Sequence, residues 1–223
     1  DMQSAGRGRR GRGWESPAGT NIYYTLMLKP DFSSDCAPML TLVMALAVAK
    51  GIRQTLRRDS EEAAAKVGIK WPNDIVVDGK KVCGILTEMS MEQGYIQHIV
   101  IGVGINVRKQ EFPEEIRDRA AAIDEQCGFR ISRSQLIADI MEAFEEDYEI
   151  FLRTHDLKGL RASYAELLVN QDREVCVLDP KGEYRGIARG INDQGELLVE
   201  RQDGTVEEVY AGEVSVRGIY GYV

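Results

Sequence analysis

The chain has 223 residues, 43% hydrophobic and 29% charged, with a formal net charge of -8, a soluble composition that supports one sizeable core or a larger domain with a small appendix. The longest apolar stretch, residues 37–49, is too short to cross a bilayer, and neither a signal peptide nor a lipidation motif is present, so no membrane association is expected. Four scattered cysteines (Cys36, Cys83, Cys127, Cys176) without C-x-x-C spacing argue against a zinc knuckle or a disulfide framework and suit a reducing cytoplasm, and two histidines, His98 and His155, leave little for a histidine triad or a His-rich metal site.

Residues 6–13 read Gly-Arg-Gly-Arg-Arg-Gly-Arg-Gly, a cationic run in an acidic chain, and Trp14 follows at once. Glycines leave N–H groups open to close approach, while Arg7, Arg9, Arg10 and Arg12 carry planar, permanent charges suited to phosphate or carboxylate. The run reads as an anion clamp; an RG-type nucleic-acid segment and a solvated loop are the competing readings. The apolar, β-prone segment 21–28 favours the clamp, because it ties the loop to a core strand.

A turn at 30–34 leads into a helix near 35–58, capped by Ser34 or Asp35 and basic toward its C-terminal end. After a charged, alanine-rich passage at 59–67 come four β-type runs, 69–71, 75–77, 81–89 and 95–107, with Asp78-Gly79 turning between the second and third. They predict a mostly antiparallel sheet. A Pro-initiated turn at 113–118 precedes helices at about 132–153 and 156–169, whose apolar residues (Leu136, Ile140, Phe144, Tyr148, Phe151, Leu152) recur at helical spacing and are expected to cover one face of that sheet. From Glu174 onward, short strands at 174–178, 184–191, 196–201, 205–210 and 214–219 alternate with Gly- and Asp-rich turns, the pattern of a small SH3-like barrel. The expected fold is α+β, with a boundary near 170 dividing a domain of residues 1–170 from one of 171–223.

Three further segments carry chemistry. Lys70-Trp71-Pro72-Asn73-Asp74 packs a cation, a rigid turn, an amide and a carboxylate at a strand end; Asn73 and Asp74 offer oxygens to Mg²⁺ and Lys70 balances phosphate charge, unless the segment is only a Pro-Asn-Asp turn with an incidental lysine. Lys81 opens a strand in which Gly84 permits close ligand approach, although a lysine pair after a Gly turn is more simply a solvated hairpin. The strand ending Ile101-Gly102-Val103-Gly104-Ile105-Asn106 lacks the third glycine and the following helix of a dinucleotide fingerprint, so its glycines point to a ligand lying flat on the backbone.

In this order, the segments resemble the biotin protein ligases. The likeness rests on Gln3-Ser4-Ala5-Gly6-Arg7-Gly8-Arg9-Arg10-Gly11-Arg12-Gly13-Trp14, on Lys70 to Asp74, on Lys81-Val82-Cys83-Gly84-Ile85-Leu86, on Gly102 to Asn106, and on Gly212-Glu213-Val214-Ser215-Val216-Arg217 in the small domain. It implies a catalytic domain related to class II aminoacyl-tRNA synthetases followed by an SH3-like barrel. It also implies a two-step reaction in which biotin and Mg-ATP give biotinyl-5′-adenylate, which then acylates a lysine of the biotin carboxyl carrier protein domain of a biotin-dependent carboxylase. Lys81, Arg9 and Lys70 would be the catalytic cations. Gln3, Gly6, Arg7, Gly8, Arg9, Trp14, Lys81, Gly84, Ile85, Leu86, Gly102, Val103 and Gly104 would form the biotin site. Arg9, Arg10, Arg12, Lys70, Asn73, Asn106 and Arg217 would hold ATP, and Asn73 and Asp74 the Mg²⁺. A homodimer is compatible with this likeness.

The family usually carries a Ser-Thr-Asn segment before the Arg-Gly loop. The chain begins at Asp1 without it, for which N-terminal truncation is the expected reason, and no helix-turn-helix precedes the motifs, so DNA binding is not expected of the residues given. A lipoate ligase shares the fold and adenylate chemistry but has a loop built on a different Arg-Arg and triple-Gly pattern. A nucleic-acid module using the RG run would be basic, whereas the sequence pI is near 5.0.

Overall fold

The computed structural model describes residues 2–11, 13–179, 182–211 and 215–218, without the side chains of Arg10 and of 215–218. The first sheet is built from β1 (Ile22–Leu28), β2 (Val67–Lys70), β3 (Asp74–Val77), β4 (Lys80–Glu92) and β5 (Tyr95–Ile105), in the order β1-β5-β4-β3-β2 with every neighbour antiparallel. Asp78 and Gly79 both take positive φ, 51° and 73°, the geometry a two-residue hairpin requires between β3 and β4. Alternation divides the sheet into two faces. Ile99, Ile101, Val103 and Ile105 of β5 are buried in the core, whereas Val100, Gly102 and Gly104 point the other way, toward an open cleft.

The helices are α1 (Met39–Arg57), α2 (Glu61–Ala65), α3 (Ile123–Cys127), α4 (Arg133–Thr154) and α5 (Arg161–Leu167). The expectation that the two late helices cover the sheet holds in part for α5, which touches β2, but needs correction for α4. The layer against β2, β3 and β4 is α1, and α4 lies on α1. The reason is in α1 itself, where fourteen of nineteen residues are buried, so it needs cover on two sides. The approach of α4 is close: a Cβ on Gly51 would stand 2.5 Å from Ile140. The segment Ser34–Arg57 is long and apolar enough to cross a membrane by composition, with mean hydropathy 1.5, but 72% of its apolar window is buried in this core.

Helical boundaries differ in four places. Residues 34–36 form a 3-10 turn capped by Ser33, and α1 begins only after Pro38. The passage 59–67 contains α2, started by the Ser60 side chain accepting from the Ala63 N–H. The turn after Pro113 runs into α3, a helix not foreseen from the sequence. Helix α4 ends at the left-handed His155, so the helix expected from 156 starts at Arg161. The second sheet follows, with β6 (Glu174–Leu178), β7 (Tyr184–Ile191), β8 (Leu197–Glu200), β9 (Val206–Val209) and β10 (Ser215–Gly218) in the order β10-β6-β7-β8-β9. The chain is therefore an α+β catalytic-type domain with a C-terminal, SH3-like β-domain.

Two carboxylates are buried where α4 meets α1, and their surroundings push them in opposite directions. Asp139 accepts from Arg58, from Thr55 (2.6 Å) and from Gln135 (3.0 Å). Burial raises its pKa, but those hydrogen bonds and the charge of Arg58 outweigh it, and the carboxyl titrates below the usual value. Asp147 is fully buried with Lys50 on one oxygen at 2.5 Å and no partner for the other, so desolvation prevails and its pKa is raised.

A depressed folded pKa gives stability that is complete above the unfolded value and is lost as pH falls through the folded one. A raised folded pKa does the reverse, its advantage disappearing as pH rises. Asp139→Asn should therefore cost stability at about pH 7 and much less at about pH 3, whereas Asp147→Asn should be the milder change at about pH 7. Urea denaturation of both variants at the two pH values checks this; an Asp139→Asn deficit that does not shrink in acid would contradict it.

Candidate active site

The cleft of about 220 Å³ lies on the face of the first sheet opposite α1. Its floor is set by strand register. Gly84 of β4 stands directly opposite Gly104 of β5, so backbone rather than side chain is presented there, and beside that pair Gly102 faces Leu86. The Trp14 ring rests on that floor: a Cβ added at Gly104 would meet the ring at 2.6 Å, and one at Gly84 would meet it at 2.9 Å. The indole Nε1 is buried without a hydrogen-bond partner. Behind the floor, burial pushes the Cys83 thiol well above its ordinary value, so it takes no part as a nucleophile.

The Arg-Gly loop forms one wall. It is pinned at its base by the Trp14 N–H donating to the Gly6 carbonyl at 3.0 Å and by a bridge between Arg7 and Gly13. Gly6 is tightly enclosed, since a Cβ there would lie 2.3 Å from the Trp14 carbonyl oxygen; it shapes the loop from behind the cleft rather than lining it. Gln3 lines the cleft, with its Oε1 accepting from Ser16 at 3.1 Å.

Three cations converge here, each held by an acceptor of the protein. Arg7 pairs with Glu88 at 3.2 Å, on the exposed rim, where the contact contributes little. Arg9 donates to Asn73 Oδ1 at 2.8 Å and, with its other terminal nitrogen, to the Ala211 carbonyl of the C-terminal domain. Lys81 pairs with Asp74, and its Nζ stands 5.6 Å from the centre of the Trp14 ring, a cation–π contact. A guanidinium and an ammonium beside a backbone floor can bring two anionic groups together, because each neutralises charge that would otherwise repel.

Most of the expected biotin-site residues meet at this cleft: Gln3, Arg7, Gly8, Arg9, Trp14, Lys81, Gly84, Ile85, Leu86, Gly102, Val103 and Gly104. Of the expected ATP residues whose side chains are described, Arg9 and Asn73 line it and Lys70 and Asn106 do not. Lys70 is 6% exposed on β2 and Asn106 is 5% exposed, its side chain accepting from Gln110; both lie away from the lining. Arg12 and the side chains of Arg10 and Arg217 lie outside the described residues. Tyr23, Thr25, Glu88 and Val100 also line the cleft and were not expected. Period-two alternation in β1 carried the signal for Tyr23 and Thr25, since both share one face of that strand.

The assignment of Mg²⁺ to Asn73 and Asp74 does not fit this arrangement. Asn73 gives its Oδ1 to Arg9 and its Nδ2 to the Ile85 carbonyl at 3.1 Å, and Asp74 is engaged by Lys81. A hard dication needs several oxygens not already bound to cations, and no group of three His, Cys, Asp or Glu able to hold a metal occurs among the described residues.

Comparison with known proteins agrees with the geometry. Residues 1–106 match the Biotin/lipoate A/B protein ligase family and residues 172–217 match the Biotin protein ligase C terminal domain. The chain is 37% identical over 220 residues to the bifunctional ligase/repressor BirA of Bacillus spizizenii, covering 97% of this chain but only 64% of that protein. It is 30% identical to the biotin--[acetyl-CoA-carboxylase] ligase of Paracoccus denitrificans, over 94% of this chain and 88% of that one. Among solved structures, the biotin protein ligase from Aquifex aeolicus in complex with biotin and ATP superposes with a TM-score of 0.81 at 29% identity, over 98% of this chain and 87% of the other. Matched in both halves and along almost its whole length, the chain belongs to the biotin protein ligase family.

Proposed function

We propose that this chain is an ATP-dependent, AMP-forming biotin–protein ligase that activates biotin as biotinyl-5′-adenylate and passes it to one lysine of a biotin carboxyl carrier protein domain. In the first step a carboxylate oxygen of biotin attacks the α-phosphorus of ATP, and the bond to pyrophosphate breaks. In the second, the lysine amine attacks the acyl carbon, AMP leaves with the bonding pair, and the amine gives up a proton. The observation that carries this reading is the convergence of Arg9 and Lys81 on the Gly84/Gly104 floor, where a carboxylate and a phosphate can be neutralised side by side. The names of the Paracoccus and Aquifex relatives support biotin and ATP as the substrates.

Lys81 and Arg9 hold the two anions, Trp14 covers the apolar chain of the acid, and Gln3 with the loop backbone offers hydrogen bonds to a polar ring. The Arg-Gly loop excludes water from the mixed anhydride once closed. Magnesium would come with ATP and neutralise phosphate charge there; Asn73 and Asp74, engaged by Arg9 and Lys81, are not assigned to it. Residues 1–170 carry this chemistry, and 171–223 supply the Ala211 carbonyl that fixes Arg9. Four free cysteines suit a reducing cytoplasm as its location.

The decisive experiment mixes the purified chain with biotin, Mg-ATP and a carrier domain and reads the carrier by mass spectrometry. A biotinyl mass gain on one lysine supports the reading; gain with lipoate in place of biotin would move it to the lipoate ligases. Lys81→Ala should lower biotin-dependent pyrophosphate exchange by roughly 10²–10³-fold, the usual loss when a transition-state charge partner is removed. Exchange at the wild-type rate would remove Lys81 from the chemistry.

Gly104→Ala tests the floor. Its new Cβ would meet the Trp14 ring at 2.6 Å, so the ring must lift, at a cost of about 1–3 kcal/mol in ligand affinity. Isothermal titration with biotin should show a weaker Kd with an unchanged thermal midpoint; wild-type affinity would mean that the ring does not use this floor when ligand is bound.

A further inference from the structure

Among the described residues, the C-terminal domain meets the end of β2 at Trp71. Trp71 closes β2, is 2% exposed, and donates its indole Nε1 to the Gly195 carbonyl at 2.9 Å. Its backbone N–H donates to Asn170 Oδ1 at 3.1 Å. Gly195 sits in the turn between β7 and β8 at φ +79°, and a Cβ there would lie 2.9 Å from both Leu42 of α1 and Leu157. The same turn accepts the Leu157 N–H at the Asp193 carbonyl, 2.8 Å, and pairs Asp193 with Arg161 at 2.7 Å. The turn is thus plugged into a socket made by α1, Leu157 and Trp71.

Two residues beyond Trp71, Asn73 receives Arg9 from the loop, and the same guanidinium reaches Ala211 of the C-terminal domain. That domain therefore holds the segment at Trp71 and the loop at Arg9. We infer that Trp71 is a positioning residue: through Gly195 it ties Asn73 to the C-terminal domain, so that the Asn73 and Ala211 oxygens keep a fixed separation and Arg9 is held between them at the cleft.

Simple packing does not account for the choice of side chain. Phe or Leu would bring apolar bulk to this strand end but no N–H to the Gly195 carbonyl, and a buried carbonyl left without a donor is costly. One residue, Pro72, separates the anchored ring from Asn73, so a shift at the ring passes to the amide with little slack. Arg9 gains most from this, because a long side chain loses rotamer freedom when ordered, and two fixed acceptors settle its position before any ligand arrives.

Trp71→Phe keeps the bulk and deletes the indole N–H. Ile140→Val, at the contact between α4 and α1, serves as a variant that loses stability away from the junction. Hydrogen exchange of peptides covering residues 7–11, read by mass spectrometry without ligand, should be about tenfold faster in Trp71→Phe and unchanged in Ile140→Val. Where the ligase reading holds, kcat for biotin-dependent pyrophosphate exchange should also fall about tenfold in Trp71→Phe, with the KM for biotin within about twofold of wild type. Loop exchange equal in all three proteins, or kcat unchanged in an active Trp71→Phe enzyme, overturns the inference.

The kinetic part rests on the proposed activity. A wild-type chain without biotin-dependent exchange would overturn that activity and leave the loop measurement to decide the role of Trp71. If Trp71→Phe does not fold, Asn170→Ala, which removes the acceptor of the Trp71 backbone N–H, takes its place with the same outcomes.

Discussion

The pairing of Gly84 with Gly104 across β4 and β5 is the constraint on which the site depends. Two glycines opposite one another make a patch of sheet without side chains, wide enough for an indole to lie flat, and any other residue at either position would displace the Trp14 ring. The loop that carries Trp14 is then fixed relative to the strands, and Arg7 and Arg9 follow from it. Lys81, three residues before Gly84, stands at the edge of the same patch, near enough that a Cβ on Gly84 would come within 3.3 Å of its Nζ.

Charge in the cleft is arranged rather than concentrated. The chain carries a net charge of -8, yet the side chains that enter the cleft from the loop and from β4 include Arg7, Arg9 and Lys81. Each already has an oxygen partner, in Glu88, in Asn73 with Ala211, and in Asp74. Those partners orient the cations and keep them from repelling one another, at the expense of some attraction for an incoming anion. The balance differs among the three: the Arg7 pair is exposed and readily exchanged for ligand, while Arg9 and Lys81 are partly buried and less free to move.

Much of this was legible from residue order. The Arg-Gly run, the glycines at 84, 102 and 104 and the lysine at 81 signal close approach of a charged ligand by chemistry alone, and Arg7, Gly8, Arg9, Lys81, Gly84, Gly102 and Gly104 line the cleft, whereas Gly6, Gly11 and Gly13 do not. The change of period after residue 170 announces the second sheet. What escaped the sequence was tertiary. Lys70 and Asn106 are polar residues in polar motifs, but burial away from the cleft depends on which strand faces which layer, a matter of register that no local pattern carries. The oxygens of Asn73 and Asp74 look like metal ligands until the structure shows that Arg9 and Lys81 already hold them. Likewise α1 was foreseen as a helix, but its place between sheet and α4 follows from apolar residues around its whole circumference.

The outer edge of β2 is closed by the segment that leads into the C-terminal domain. Val169 donates its N–H to the Ile69 carbonyl at 2.9 Å, and its side chain presses on Gly68 so closely that a Cβ there would lie 2.3 Å away. The connection between the domains thus serves as a sixth, partial strand of the first sheet. Removing this connection would leave the Ile69 carbonyl without its donor and open the edge of β2, the kind of surface that recruits other chains into aggregates. The two domains are therefore poor candidates for separate expression, and exchanging the C-terminal domain between relatives would have to carry residues 168–170 along with it.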